Sequence, residues 1–314
     1  MADLDVTVTA RASESGGRPS ERVPIKRRRN GRTEGSVDVV AAEEPLEIRL
    51  GGERVAVTMR TPGPGEDSEL AVGFLSGEGI IDPADVATVR ECPPRSDGGV
   101  VDVILRAGVE PAGGWQRNFY ATSSCGVCGK ASIEAVRVAA PAVPDGPTVA
   151  SEAISSLPDR LRAKQRLFDR TGGLHAAGLF TADGELLVLR EDVGRHNAVD
   201  KAIGRALMRS DVLDRVAVLQ VSGRASFELV QKALVAGIPI LTAVSAPSSL
   251  AVRLAREANM TLVGFLRETG FNVYAGEQRL RCVTVPPVEG PAGPSRRRRD
   301  DAGPRARREI RARS

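Results

Sequence analysis

Two thiols three positions apart, Cys125 and Cys128, stand in the stretch Tyr120-Ala-Thr-Ser-Ser-Cys-Gly-Val-Cys-Gly-Lys130. Gly126 and Gly129 flank them and a helix-forming stretch follows, so backbone N–H groups and Lys130 favour the thiolate, the nucleophilic form of cysteine. Three uses of such a pair compete on spacing: a redox dithiol, half of a zinc site, or a sulfur-carrying cysteine. A structural zinc site takes four ligands, and the other candidates, Cys92, Cys282, His175 and His196, form no second close pair. A structural disulfide does not suit a reducing compartment. Cys92 and Cys282 lack close partners and read as structural.

The chain contains 2 His, so any imidazole chemistry falls on His175 or His196. His175 follows Thr171-Gly-Gly-Leu, and His196 lies in Glu191-Asp-Val-Gly-Arg-His-Asn197. Both sit beside Gly-rich or charged turns rather than inside an apolar stripe. That leaves a functional place and a buried structural one equally open.

The elements that must position these groups emerge from about residue 171 onward. Ala176 to Phe180 and Leu186 to Arg190 are short apolar runs around Asp183-Gly184, a hairpin signal. Then follow a helix over Ala198 to Met208, a strand over Val216 to Val221, a helix over Phe227 to Ala236, a strand over Ile238 to Val244, a helix over Ser249 to Ala258 and a strand over Thr261 to Leu266. This alternation predicts an α/β fold with a mostly parallel sheet covered by helices on both faces. In such sheets ligands bind beyond the strand ends, where helix N-termini point donors at them. The residues there are Glu191 to Asn197, Ser222-Gly223-Arg224-Ala225-Ser226, Ser245 to Ser249 and Arg267-Glu268-Thr269-Gly270. Hydroxyls, small residues and Arg195, Arg224 and Arg267 on one edge fit an anionic ligand bearing phosphates.

Ahead of this region, Leu46 to Leu50 and Val55 to Met59 alternate apolar with polar around Gly51-Gly52, a second hairpin. Ser68 or Asp67 can cap a helix carrying Leu70, Phe74 and Leu75. Val100 to Leu105 reads as a strand, which makes a small α+β section over 37–118. The α/β core then spans 119–286, with Pro141 to Pro147 as its flexible interruption.

At 314 residues, 41% hydrophobic and 27% charged, the chain has the balance of a globular protein rather than a coiled coil or a disordered one. The net charge of +4 is unevenly spread: 8 basic and 5 acidic residues in 1–35 and 9 and 4 in 287–314 leave 27 basic and 31 acidic between them. The basic ends, 1–36 and 287–314, are poor in large apolar residues and are expected as disordered tails rather than a nucleic-acid-binding device. No run of about eighteen apolar residues is present. The first residues lack the basic and apolar regions of a secretory leader, so the expected location is cytoplasmic.

Arg60-Thr-Pro-Gly63, Gly73-Phe-Leu75, Thr122 to Lys130, Thr171 to His175, Glu191 to Lys201, Ser222 to Glu228, Val244 to Pro247 and Gly264-Phe265 together resemble the formate dehydrogenase accessory sulfurtransferase family, FdhD. The resemblance spans about 40–283 and excludes only the tails. It implies a cytidine deaminase-like core, a homodimer and a sulfur carrier protein. Such a protein passes persulfide sulfur from a cysteine desulfurase to the molybdenum cofactor, bis(molybdopterin guanine dinucleotide), before its insertion into formate dehydrogenase. By the same resemblance Cys125 holds the persulfide, Cys128 assists, and Phe265, Leu266, Arg267, Glu268, Thr269 and Gly270 match the cofactor-binding stretch. Glu268 and Thr269 depart there by carrying less positive charge. Ser222, Gly223, Arg224, Ser245 and His196 are the expected further contacts to the guanine nucleotide moiety. No protein-bound metal is expected.

Two other classes fit parts of the chain. A zinc nucleobase deaminase needs H-x-E and P-C-x-x-C; here Ala177 and Ala198 stand two after the histidines and Ser124 precedes the cysteine pair. A non-catalytic cofactor chaperone would use the nucleotide edge and need the cysteines only structurally.

Overall fold

The computed structural model describes residues 7–8, 17–95, 98–112 and 142–281. After β1 (Thr7–Val8), β2 (Ser20–Arg29) and β3 (Arg32–Ala41) form an antiparallel ribbon paired from Ser20↔Ala41 to Arg29↔Arg32. Asn30 and Gly31 turn it at φ 50° and 75°, the left-handed pair that a two-residue hairpin needs. Order therefore starts well before Val37, and residues 20–36 correct the expected N-terminal tail. Their mostly exposed side chains carried no burial signal; the ladder of backbone hydrogen bonds organises them instead.

β4 (Glu44–Leu50) buries Leu46, Ile48 and Leu50 and turns through Gly51-Gly52 into β5 (Glu53–Arg60), as the alternation predicts. With β6 (Val86–Arg95) and β7 (Gly98–Leu105) they make a five-stranded sheet ordered β1-β6-β7-β4-β5. α1 (Glu66–Gly77) starts behind Gly65 at φ 71°, not at a Ser68 or Asp67 cap. Ser68 is buried and gives its hydroxyl to Glu91 (2.7 Å), while Asp67 grips Arg60 through two hydrogen bonds (2.6 and 2.7 Å), so neither side chain is free to cap.

The second half contains β8 (Val149–Ala150), α2 (Ser151–Arg162), α3 (Arg166–Thr171), β9 (His175–Phe180), β10 (Leu186–Asp192), α4 (Arg195–Leu207) and α5 (Ser210–Leu213). Then come β11 (Val218–Val221), α6 (Phe227–Val235), β12 (Ile240–Ala243), α7 (Ser249–Glu257), β13 (Thr261–Arg267), β14 (Gly270–Ala275) and β15 (Leu280–Arg281). The six-stranded sheet runs β10-β9-β11-β12-β13-β14. Only β11, β12 and β13 are parallel; β9, β10 and β14 pair antiparallel with their neighbours. A mixed sheet thus replaces the expected mostly parallel one, because β9 runs against both β10 and β11 and the tight turn before Gly270 folds β14 back along β13.

Helices do cover both faces. α4, α6 and α7 bury Ala198, Ile203, Val230 and Ala255 against Leu219, Leu241 and Leu262, and the same cluster takes in Leu46, Leu70 and Val101 of the first sheet. α2 buries Ile154, Leu157 and Leu161 against Phe180, Val218 and Ile240 on the other face. The small section over 37–112 therefore shares one core with the larger sheet. Its tightest junction is α1 on α4, where an added methyl at Gly73 would overlap the Asp200 carbonyl and one at Gly204 the Glu69 carbonyl.

Candidate functional site

The loops at one edge of the mixed sheet are laced to each other by backbone. Ser222 N donates to Ala176 O (3.0 Å) and Ser222 Oγ accepts from Ala176 N (2.9 Å), tying the end of β11 to the start of β9. Ser245 N donates to Gly223 O (3.2 Å), Ser248 N to Ala225 O (3.0 Å) and Phe265 N to Ser245 O (3.2 Å). The turns after β11, β12 and β13 thus stand side by side with His175 and the β10 end, as the strand ends predict.

The β10 to α4 turn is held by a carboxylate with no exposure. Asp192 accepts from Gly194 N (2.8 Å), Asn197 Nδ2 (3.1 Å) and Thr61 N (3.0 Å), and pairs with Lys201 Nζ (2.8 Å). Lys201 also donates to Thr61 O (2.7 Å) and reaches Glu66 (2.9 Å). Burial works against the Lys201 charge, but Asp192 and Glu66 outweigh it and raise its pKa. Glu191 is equally committed: it accepts from Leu167 N (3.1 Å) and Phe168 N (2.8 Å) at the start of α3, and burial pushes its pKa up. These carboxylates hold the turn in place and have their oxygens filled.

Both histidines of the chain flank this turn. His175 packs against Gly223, where a Cβ would lie 3.7 Å from Nδ1. Burial first, then the Arg195 charge, lowers its pKa. His196, in the first turn of α4, places Nε2 3.9 Å from Glu228 Oε2 in the first turn of α6. That is beyond a direct hydrogen bond but within strong electrostatic reach, and His196 beside it holds the Glu228 carboxyl down to about 2.

Several expected contacts need correction. Leu266 has its side chain in the core, so only its backbone can face a ligand. Arg267 folds onto the Val244 and Leu266 carbonyls (2.5 and 2.7 Å), which occupies Nη1. Phe265 is 46% exposed at φ 53°, a costly backbone for a bulky residue and one that clusters at functional sites. Glu268, Thr269, Gly270 and Arg224 are exposed; Ser222, Gly223 and Ser245 lie at the edge as expected. Cys92 is exposed on β6 rather than structural. Arg195 and Ser226 stand at the starts of α4 and α6, on the edge where the strand ends place them, while Glu228, in the first turn of α6, was named in the sequence only within a motif and given no role.

Cys125, Cys128 and Cys282 lie outside the described residues. The chain leaves toward the cysteine pair at Ala112, whose N–H donates to Ile80 O (2.9 Å), and returns at Val143, whose N–H donates to Ala258 O (2.8 Å). Buried Arg279 donates to Pro144 O (2.9 Å) and Asn259 O (2.7 Å), and Asn259 Nδ2 to Val143 O (3.0 Å). Residues 143–144 are therefore pinned, not a flexible interruption. Ala258 precedes β13, so this tether lies at the end where the parallel strands begin, away from the edge where they finish.

Residues 41–281 match the model of the FdhD/NarQ family. The chain is 56% identical over 274 residues to the sulfur carrier protein FdhD of Streptomyces coelicolor, covering 84% of this chain and 96% of that protein. Against the protein of the same name from Mycobacterium tuberculosis it is 53% identical over 255 residues, covering 77% and 92%. A crystal structure of a candidate formate dehydrogenase accessory protein from Desulfotalea psychrophila superposes with a TM-score of 0.68 at 28% identity, covering 84% of this chain and all of that one. A family model spanning most of the chain and relatives above half identity leave one assignment: the chain belongs to the FdhD/NarQ family.

Proposed function

We propose that this protein is a sulfurtransferase that carries sulfane sulfur on Cys125. It takes the sulfur from a cysteine desulfurase and delivers it to the molybdenum cofactor, bis(molybdopterin guanine dinucleotide), before that cofactor enters formate dehydrogenase. The observation that carries the reading is the laced edge of helix N-termini and hydroxyl turns, which suits a phosphate-bearing ligand in a chain whose relatives are named sulfur carriers. The cofactor is the substrate here.

In the acceptance step the Cys125 thiolate attacks the outer sulfur of the desulfurase persulfide. A new S–S bond forms on Cys125, the donor S–S bond breaks, and the donor cysteine leaves as thiolate. Cys128 protects or relays the sulfur. The protein acts in the reducing cytoplasm as a homodimer. Among the described residues no helix is long and apolar enough to cross a membrane.

Incubation with a cysteine desulfurase and cysteine, followed by mass spectrometry, tests the reading. A gain of one sulfur atom, about 32 Da, retained in Cys128→Ala and absent in Cys125→Ala, supports it. No gain on any variant favours a chaperone that hands the cofactor over without carrying sulfur.

A further inference from the structure

The ribbon of β2 and β3 carries six cations and three carboxylates, and its strand pairing sorts them by face. Side chains directly opposite each other in an antiparallel pair share a face, and the ladder runs from Ser20↔Ala41 to Arg29↔Arg32 without a register shift. Arg27, Arg29 and Arg32 therefore share one face with Glu21, Glu34 and Asp38, and their charges cancel. Arg22, Lys26 and Arg28 lie on the other face, opposite Val39, Gly35 and Thr33, with no carboxylate of the ribbon among them. All of the ribbon's net positive charge sits on that one face.

The same face is open to solvent. Arg22, Pro24, Lys26 and Arg28 are exposed along β2, and Val37 of β3, directly opposite Pro24, is 51% exposed. On the charge-balanced face Val23, Ile25, Arg27 and Ser36 are half-buried. The three cations thus bracket an apolar centre of Pro24 and Val37 over about 20 Å of strand. An apolar centre ringed by charge is the layout of a protein–protein interface, and its positive ring complements an acidic partner. Nucleic acid is disfavoured, because phosphates gain nothing from Pro24 and Val37 and the face has no aromatic ring on which a base could stack.

The base of the ribbon is fixed beside the ligand edge of the mixed sheet. Ala42 N donates to Pro19 O (3.0 Å), and Arg170 Nη2 donates to Ser20 Oγ (3.3 Å). Arg170 belongs to α3, whose first amides hold Glu191 near the end of β10 and whose last turn leads through Gly172 to His175. We propose that the face formed by Arg22, Pro24, Lys26, Arg28 and Val37 docks an acidic patch on the protein that receives the cofactor. The inference rests on the function proposed for the adjoining edge, by which that protein is formate dehydrogenase.

Calorimetric titration of the full chain with formate dehydrogenase lacking its cofactor tests it, with duplex DNA and anionic lipid vesicles as competing probes. Binding of the dehydrogenase is expected to weaken as salt rises from about 50 to about 300 mM. The triple variant Arg22→Glu/Lys26→Glu/Arg28→Glu is expected to weaken it at least about tenfold, and Gln at the same three positions to weaken it less. The same charge change on the opposite face, Arg27→Glu/Arg29→Glu/Arg32→Glu, is expected to weaken it about threefold or less. Val37→Ser, which leaves the charge unchanged, is expected to weaken it about threefold. Circular dichroism verifies folding, and the Gln set decides if the Glu set does not fold. Equal losses from the two Glu sets, no loss from the Gln set, no binding of the dehydrogenase, or tighter binding of DNA or vesicles overturns the docking face. The sulfur mass gain on Cys125 is read on each preparation and is expected to be the same in all. Its absence from the wild type refutes sulfur carriage without touching the docking face. Equal affinity of wild type and the Arg22, Lys26 and Arg28 variants, with sulfur still carried, refutes the docking face alone.

Discussion

Lys201 and Asp192 meet at 2.8 Å with neither side chain exposed to solvent. The pair joins α4 to the end of β10, and through Thr61 and Glu66 it also anchors the first sheet and α1. Removing one partner of such a pair leaves a buried charge uncompensated. Lys201→Met is therefore expected to cost about 3–5 kcal/mol in urea unfolding, and a loss below about 1 kcal/mol would contradict the assignment. The Lys201→Met/Asp192→Asn double variant is expected to recover part of the loss.

The contact of α1 with α4 depends on bare backbone at Gly73 and Gly204. Gly204→Ala forces the helices apart and is expected to lower stability by about 1–3 kcal/mol. Gly35→Ala, in the exposed ribbon with nothing within 4 Å of the added carbon, is expected to be close to neutral. Similar thermal shifts for the two would show that the helix crossing is not tight.

Glu228 gives stability a dependence on acid. Its carboxyl is held at about 2 against an ordinary 4.5, so its contribution is complete above 4.5 and drains away as pH falls through about 2. Glu228→Gln is expected to flatten the acid limb of unfolding free energy between about pH 5 and about pH 2 while leaving the alkaline limb unchanged. An acid limb identical to wild type would remove Glu228 from this role.

Arg279, 2% exposed, bonds the carbonyls that fix residues 143–144. Arg279→Leu orphans those carbonyls, so hydrogen exchange at the Val143 amide is expected to accelerate at least tenfold. Protection equal to wild type would mean that the tether is held by Asn259 alone.

The α4, β11, α6, β12, α7 and β13 sequence and the loops gathered at its edge were legible in the chain, because each apolar run there matches one period and ends in a cap or a turn. Strand direction was not. Whether His175–Phe180 and Gly270–Ala275 run parallel or antiparallel depends on hairpins joining them to neighbours, and apolar runs read alike in both directions. The ribbon at 20–41 was hidden by its polarity, although Asn30-Gly31 between two alternating runs was the available signal. α2 was missed for a similar reason, since Pro158 inside it reads as a breaker. At the edge, side-chain types pointed to an anionic ligand as an expectation, but the conformation of each arginine could not be read. Arg267 gives Nη1 to the carbonyls of Val244 and Leu266, contacts that only the folded turn creates.

The central claim is that sulfur held on Cys125 ends on the molybdenum cofactor of formate dehydrogenase. The direct measurement loads the purified chain with radiolabelled sulfur from cysteine and a desulfurase, removes both, and adds the cofactor and formate dehydrogenase lacking it. The account predicts label released with the cofactor from the reconstituted enzyme in proportion to its formate oxidation, and neither label nor activity with Cys125→Ala. Equal activity from an unlabelled, unloaded chain, with the label still on Cys125 in the loaded one, would contradict it.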